Sequence, residues 1–196
     1  MKRSRKIKFT DETAGKSLAR RDLKAGVTRD CAIAPCHVLI DGSNVGQGLS
    51  SLRRIWRQDR ERAREILISM AREIHDAWGW QVTVVFDGRG SDLVCDYPWG
   101  VDTFTVIFSP ANLTADAVIE RMGLRSADPA RIAVVSADHM ILDSLRAAGA
   151  RTASPSEFEQ WVNACRQTVS EKQVHKRRNP GGGFENRLDI DFDQLT

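Results

Sequence analysis

A chain of 196 residues, 41% hydrophobic and 28% charged, is long enough for one globular domain of about 150 residues with tails. No apolar run approaches the ~20 residues that span a bilayer, and no apolar stretch follows the basic start Met1-Lys-Arg-Ser-Arg-Lys6, so a membrane or secreted protein is not expected and a cytoplasmic one is. The net charge of +3 is uneven: the first 30 residues hold ten Lys/Arg against four Asp/Glu, and the remainder nineteen against twenty-two. A basic arm of this kind either meets nucleic acid phosphates or is a solvated tail.

Residues 1–34 show no sustained apolar period and are expected to be mostly disordered; residues 35–170 form the domain, and 171–196 a tail that is basic, then glycine-rich, then acidic. His37–Asp41 reads as a first buried strand. A glycine-rich turn to about Ser51 follows, and then a long helix from roughly Leu52 to Trp78, with Ile55, Ile66, Leu67, Met70, Ile74 and Trp78 at helical spacings. The arginines Arg53, Arg54, Arg57, Arg60 and Arg64 along it make either a solvated face or an RNA-facing side. Gly79 ends the helix, and Gln81–Phe86 is a second strand running into Asp87-Gly88. Arg89–Val101 reads as irregular, with Tyr97 and Trp99 as candidates for base stacking; Trp56, Trp78, Trp80 and Trp161 read as packing.

Thr103–Phe108 is the third strand, and Thr114 is a good N-cap for a helix with Asp116 and Glu120 on one face. Arg131–Ser136 is the fourth strand, followed by Ala137-Asp138, a short helix from His139 to Ala148 and the stop Gly149. Ala150–Ala153 and a helix over Glu157–Val169, with Pro155 or Ser156 near its first turn, complete the pattern. Continuous apolar strands alternating with helices imply an α/β fold, a parallel sheet of about five strands with helices on both faces.

The four cysteines, Cys31, Cys36, Cys95 and Cys165, are few and scattered, as in a reducing compartment, and Cys31-x4-Cys36-His37 lacks the second pair that a structural zinc needs. The acids are better organised. Open parallel sheets bind ligands beyond the carboxyl ends of their strands. Asp41 ends the first strand, Asp87 the second, Asp138 follows the fourth, and Asp116 opens the helix after the third, so all four fall on one rim. Crowded carboxylates repel one another, and a hard cation such as Mg²⁺ or Mn²⁺ compensates them and suits phosphodiester cleavage. Each acid also has a plain reading. Asp41 and Asp87 could be turn residues, Asp138 the cap of the next helix, and Glu120 a partner of Arg121 or Arg125. Neither a dinucleotide loop, a P-loop nor a nucleophile elbow is present.

Asp41-Gly-Ser-Asn44, Val85-Phe-Asp87-Gly88, Phe108-Ser with Thr114-Ala-Asp116-x-x-Ile-Glu120, Val135-Ser-Ala-Asp138, and Gly149-Ala with Ser156-Glu-Phe158 resemble, in that order, the YacP-like NYN domains, PIN-like metal-dependent ribonucleases. The resemblance covers about residues 36–165. It implies a single PIN-like domain and an endoribonuclease of single-stranded RNA, with the ribosome as a candidate partner and Mg²⁺ or Mn²⁺ as cofactor. Asp41, Asp116 and Asp138 would be the metal ligands, Asn44 and Glu120 further catalytic groups, and Asp87 and Ser136 substrate-binding groups; the residues themselves add Ser43, beside Asp41, and Arg53 and Arg54, on the arginine-rich helix face, as further substrate-binding candidates. Two positions depart from the family: Ser43 stands where Tyr is usual, and Ala117 where a second acid often follows. They motivate an alternative, a PIN-like RNA- or ribosome-binding module with weak or lost catalysis.

Overall fold

The computed structural model describes residues 3–7 and 36–178. Among them seven strands form one sheet: β1 (Arg3–Ile7), β2 (His37–Asp41), β3 (Gln81–Phe86), β4 (Leu93–Tyr97), β5 (Phe104–Phe108), β6 (Ile132–Val135) and β7 (Arg151–Ala153). The helices are α1 (Gly42–Gly48), α2 (Ser50–Gln58), α3 (Arg60–Trp78), α4 (Ala115–Leu124), α5 (His139–Ala147) and α6 (Pro155–Arg178). The sheet order is β1-β4-β5-β3-β2-β6-β7, parallel from β5 to β7 and antiparallel at β1 and β4.

Strand side chains alternate between two cores. Val38, Ile40, Val84, Phe86 and Val135 pack with α1, α2, α3 and α6. Leu39, Val85, Ile107 and Val134 pack with α4 and α5 on the other face. Each such side chain, once buried, contributes roughly 1.5–3 kcal/mol. This double burial explains why the strands read as unbroken apolar runs.

Several elements differ from the sequence expectation, each for a physical reason. The glycine-rich stretch after Asp41 is a helix rather than a turn: Asp41 caps it, and its glycines serve close packing. A Cβ on Gly42 would lie 2.2 Å from the Phe86 ring, and one on Gly46 2.3 Å from Trp56. The long helix is interrupted at Asp59, whose extended backbone (φ −147°) ends α2 and whose carboxylate accepts the Arg62 N–H at 3.0 Å to start α3. The segment after Asp87 contains β4, with Leu93 and Cys95 buried at period two. Arg3–Ile7, within the arm expected to lack structure, adds to β4 as a basic edge strand, a composition that discourages further pairing. Helix α6 runs to Arg178, so residues 171–178 continue the domain's last helix; the remainder of both expected tails lies outside the described residues.

Topology places the crevice. From β2 the chain steps one way through β3 to β5, then crosses back to β6 on the other side of β2. The order therefore reverses between β2 and β6, the position where open α/β sheets leave a cleft beyond the strand ends.

Candidate active site

At that reversal Asp41 closes β2 with its side chain fully buried. Its Oδ1 accepts the Asn44 backbone N–H at 3.0 Å, and its Oδ2 accepts the Asn44 side-chain amide at 2.6 Å and the Ser136 hydroxyl at 3.2 Å. Three donors offset the cost of burying a carboxylate. The Asn44 amide reaches across to Asp116 Oδ1 at 3.3 Å, bridging two acids, with Asp116 72 residues further along the chain than Asn44.

Asp116 sits in the first turn of α4, held there because the Thr114 hydroxyl caps the helix by accepting the Ala117 N–H at 3.2 Å. Burial, a hydrogen bond and charge repulsion from Asp41, and the charges of Asp138 and Asp87 push Asp116 up to about 7. Two carboxyl groups in contact need a shared proton or a cation between them.

Ser136, fully buried at the end of β6, joins two of the acids: its hydroxyl donates to Asp41 and accepts the Asp138 N–H at 3.1 Å. Asp138 caps α5 through Oδ1 on the Met140 N–H at 2.8 Å, so its plain reading as a cap describes one of its oxygens. Asp87 likewise holds the start of α4, accepting the Ala115 N–H at 2.9 Å, while its own N–H donates to the Ser43 hydroxyl at 3.4 Å.

The structure thus brings Asp41, Asn44, Ser43, Asp87, Asp116, Ser136 and Asp138 to one rim. Other candidates lie apart. Glu120 accepts the Ser144 hydroxyl at 2.7 Å, tying α4 to α5, and is not among the groups that raise Asp116. Arg53 and Arg54 are exposed on α2, with Arg53 donating to the Gln47 and Gly48 carbonyls. Strand register carries Tyr97 and Trp99 to the opposite edge, where Trp99 meets Phe104 edge-on at 4.9 Å beneath Arg72 at 4.0 Å. His37 also faces that edge; it pairs with Thr83 at 2.9 Å, and burial lowers it to about 4, so it is a neutral core histidine.

One rim residue escaped the sequence reading as an individual. Arg64 lies half-buried across the Phe86 and Phe108 rings, 5.3 and 5.8 Å from their centroids, and its Nη2 is 3.5 Å from the Asp87 carbonyl. Its i, i+4 spacing from Arg60 was visible; its aromatic seat was not.

No three His, Cys, Asp or Glu side chains among the described residues are arranged to enclose a metal ion. Asp41 and Asp116, linked by a side-chain hydrogen bond, offer a pair of adjacent oxygen donors, and Mg²⁺ is commonly held by one or two carboxylates with water in its remaining positions. The donor chemistry fits a hard divalent cation.

A profile of the YacP-like NYN domain matches residues 38–194. Two solved structures share the fold: a mutant of Rae1 (YacP) from Bacillus subtilis at 26% identity and TM-score 0.61, and Rae1 (YacP) itself at 25% and 0.59. Each aligns with 74% of this chain and with 86% and 84%, respectively, of its own. No curated protein matches. PIN-like NYN nucleases are generally dependent on a divalent metal. With its acids at the switch point of a PIN-like sheet, the chain belongs to the YacP-like NYN domain family, a family of PIN-like ribonucleases.

Proposed function

We propose that this protein is a metal-dependent endoribonuclease of single-stranded RNA, with Asp41, Asp116 and Asp138 as its acidic core. The observation that carries the reading is Asp116 itself, partly buried at the strand-order reversal beside Asp41 and within the charges of Asp138 and Asp87, which together raise it to about 7. A group crowded in this way is poised for a cation rather than for stability. Bound there, Mg²⁺ or Mn²⁺ would supply a hydroxide from its water and offset charge on the departing oxygen.

The chain's own groups prepare that site. Asn44 fixes the relative placement of the Asp41 and Asp116 carboxylates through its amide. Ser136 sets Asp41 and the backbone of Asp138 from one hydroxyl. Asp87 anchors the start of α4 and so the position of Asp116. The phosphodiester would be held close to Asp116 and Asp138, whose negative charge requires a counter-ion before a phosphate can approach.

The test is cleavage of unstructured and structured RNA in Mn²⁺ by the wild type and by Asp41→Asn. Loss of cleavage in the variant supports the assignment, and equal activity defeats it. Ribosome association is read by co-sedimentation of the same two proteins.

A second reading, an RNA-binding module with weak catalysis, draws on Ala117, which leaves Asp116 as the one acid in the first turn of α4. Calorimetry separates the two. Heat from millimolar Mn²⁺ that disappears in Asp116→Asn favours the enzyme, whereas RNA affinity without any metal binding favours the module.

A further inference from the structure

The arginine-rich side of α2 and α3 is not absorbed by the acidic site. Gln47, Arg53, Trp56, Arg57 and Arg60 line an open cavity of about 420 Å³ where the end of α1 meets α2 and the start of α3. Arg53, Arg57 and Arg60 are exposed, and Trp56 is buried beneath them. Arg53 is fixed by its bonds to the carbonyls of Gln47 and Gly48, and Gln47 in turn donates to the Ser43 carbonyl at 3.2 Å, one turn from the rim.

The cavity does not stand alone. Trp56 stacks on Phe86 at 6.5 Å and Phe86 on Phe108 at 5.8 Å, and Arg64 lies on those last two rings. Arg60 and Arg64 are one helical turn apart, about 6 Å along the axis. Three arginines at the cavity and a fourth beside the Asp87 carbonyl therefore form a row on an aromatic floor that ends at the carboxylates. The carboxylates beside the row are weak competitors: Asp59 is engaged with the Arg62 N–H, and Glu61, largely exposed, is 3.7 Å from Arg64. Arg64 also keeps a buried Nε with no hydrogen-bond partner among the described residues.

We infer that Arg53, Arg57, Arg60 and Arg64 form a track for the phosphates of a single RNA strand, with the Arg53–Arg57–Arg60 cavity holding a phosphate away from the cleaved bond and Arg64 leading the strand onto the acidic rim. The inference rests on the ribonuclease reading and makes it directional: the strand enters over α2 rather than over α5. Charge complementarity identifies the occupant, because a row of guanidinium groups beside a crowd of carboxylates favours a polyanion held on one side of the site. Arg54, exposed on the same helix, does not line the cavity.

The experiment is fluorescence anisotropy of a short labelled oligouridylate with the full chain in EDTA, so that binding is read without cleavage. Removing one arginine–phosphate pairing from a single strand reduces the salt slope by about 0.7, equivalent to about fivefold in affinity at 0.1 M salt. Arg57→Gln/Arg60→Gln is expected to bind about 25-fold more weakly, with a slope shallower by about 1.4, and Arg64→Gln about fivefold more weakly. Arg62→Gln, the same single change of charge as Arg64→Gln on α3 but outside the cavity, should match the wild type. Arginine variants that bind as Arg62→Gln does would overturn the track while leaving cleavage by the wild type, and thus the ribonuclease reading, intact. Polyglutamate competing as well as oligouridylate at equal charge would also overturn it, by pointing to an acidic protein instead. A wild type that binds no oligouridylate in EDTA would likewise overturn the track, while its cleavage of RNA in Mn²⁺ decides the ribonuclease reading separately.

Discussion

The two edges of the sheet treat charge and aromatic surface in opposite ways. At the amino-terminal edge every prominent group is satisfied locally. Trp78, Trp80 and Trp161 pack against one another at 4.4–6.5 Å, Arg72 lies on Trp99 and bonds Asp76 at 3.0 Å, and His75 bridges Asp76 and Thr103. At the carboxyl-terminal rim Asp116 is instead partly buried within the charges of three further acids and rises to about 7. One edge is built for stability and the other holds unrelieved repulsion, the signature of a site completed by something it binds.

Substitutions at the two edges should therefore separate. The largest effect is expected on chemistry: Asp41→Asn lowers Mn²⁺-supported RNA cleavage about a thousandfold, or about 4 kcal/mol in the barrier, with the fold preserved by circular dichroism. At the other edge Trp161→Ala removes a ring from the tryptophan cluster and costs about 3 kcal/mol in urea unfolding. Cleavage by that variant should stay at the wild-type level at a temperature where it is folded. A comparable loss of activity in Trp161→Ala would erase the division between the edges.

Gly42→Ala joins the two cases. Its new methyl would meet Phe86 Cε1 at 2.2 Å, so the ring or α1 must shift; overpacking of this kind costs about 2 kcal/mol. Because α1 also carries Asn44, Mn²⁺ affinity should fall together with the urea midpoint.

That glycine also marks where the sequence stops being readable. Strand ends were legible because an unbroken apolar run that meets an acid is hard to place anywhere but at the rim of a buried sheet, and Asp41, Asp87 and Asp138 follow from it. Asp116 was legible through Thr114, a capping residue with a local mechanism. Helix α1 was not, because Gly-Ser-Asn-Val-Gly-Gln-Gly has poor helical propensity, and the rings that make it helical by packing on its glycines, Phe86 and Trp56, belong to β3 and α2. Strand β1 was hidden for the same reason: Arg3–Ile7 pairs with Leu93–Tyr97, and its own residues show no apolar alternation. The Asp59 break was visible in principle as an N-cap with Glu61 in the first turn, but the arginine run on both sides continues the helical pattern across it. The aromatic seat of Arg64 is likewise a tertiary fact.

Repulsion at the rim has a pH signature. Free aspartate titrates near 3.9, so between about pH 4 and 7 the folded protein holds a proton on Asp116 that the unfolded chain releases. Stability of the metal-free protein then falls as pH rises through this window and levels off above it. Asp116→Asn should flatten the slope and raise the melting temperature at pH 8 in EDTA, while abolishing Mn²⁺ binding. In the wild type Mn²⁺ affinity should rise with pH up to about 7, because the cation competes with that proton. A melting temperature independent of pH between about 5 and 8 would remove the electrostatic contrast between the edges.

The smallest effect belongs to the most conspicuous ion pair. Arg166 grips Glu73 through two bonds of 2.7 and 2.9 Å, linking α6 to α3 toward the satisfied edge. Arg166 is 55% exposed and Glu73 31%, so water screens the attraction and holding two long side chains costs entropy. Good bidentate geometry places the contribution near the upper part of the surface range, about 0.5–1 kcal/mol. Glu73→Gln, measured by urea unfolding, should cost less than about 1 kcal/mol, and about half a molar of salt should remove most of the difference. A pair with better geometry than any contact among the four acids is thus expected to matter least, because both of its charges are already answered within the fold.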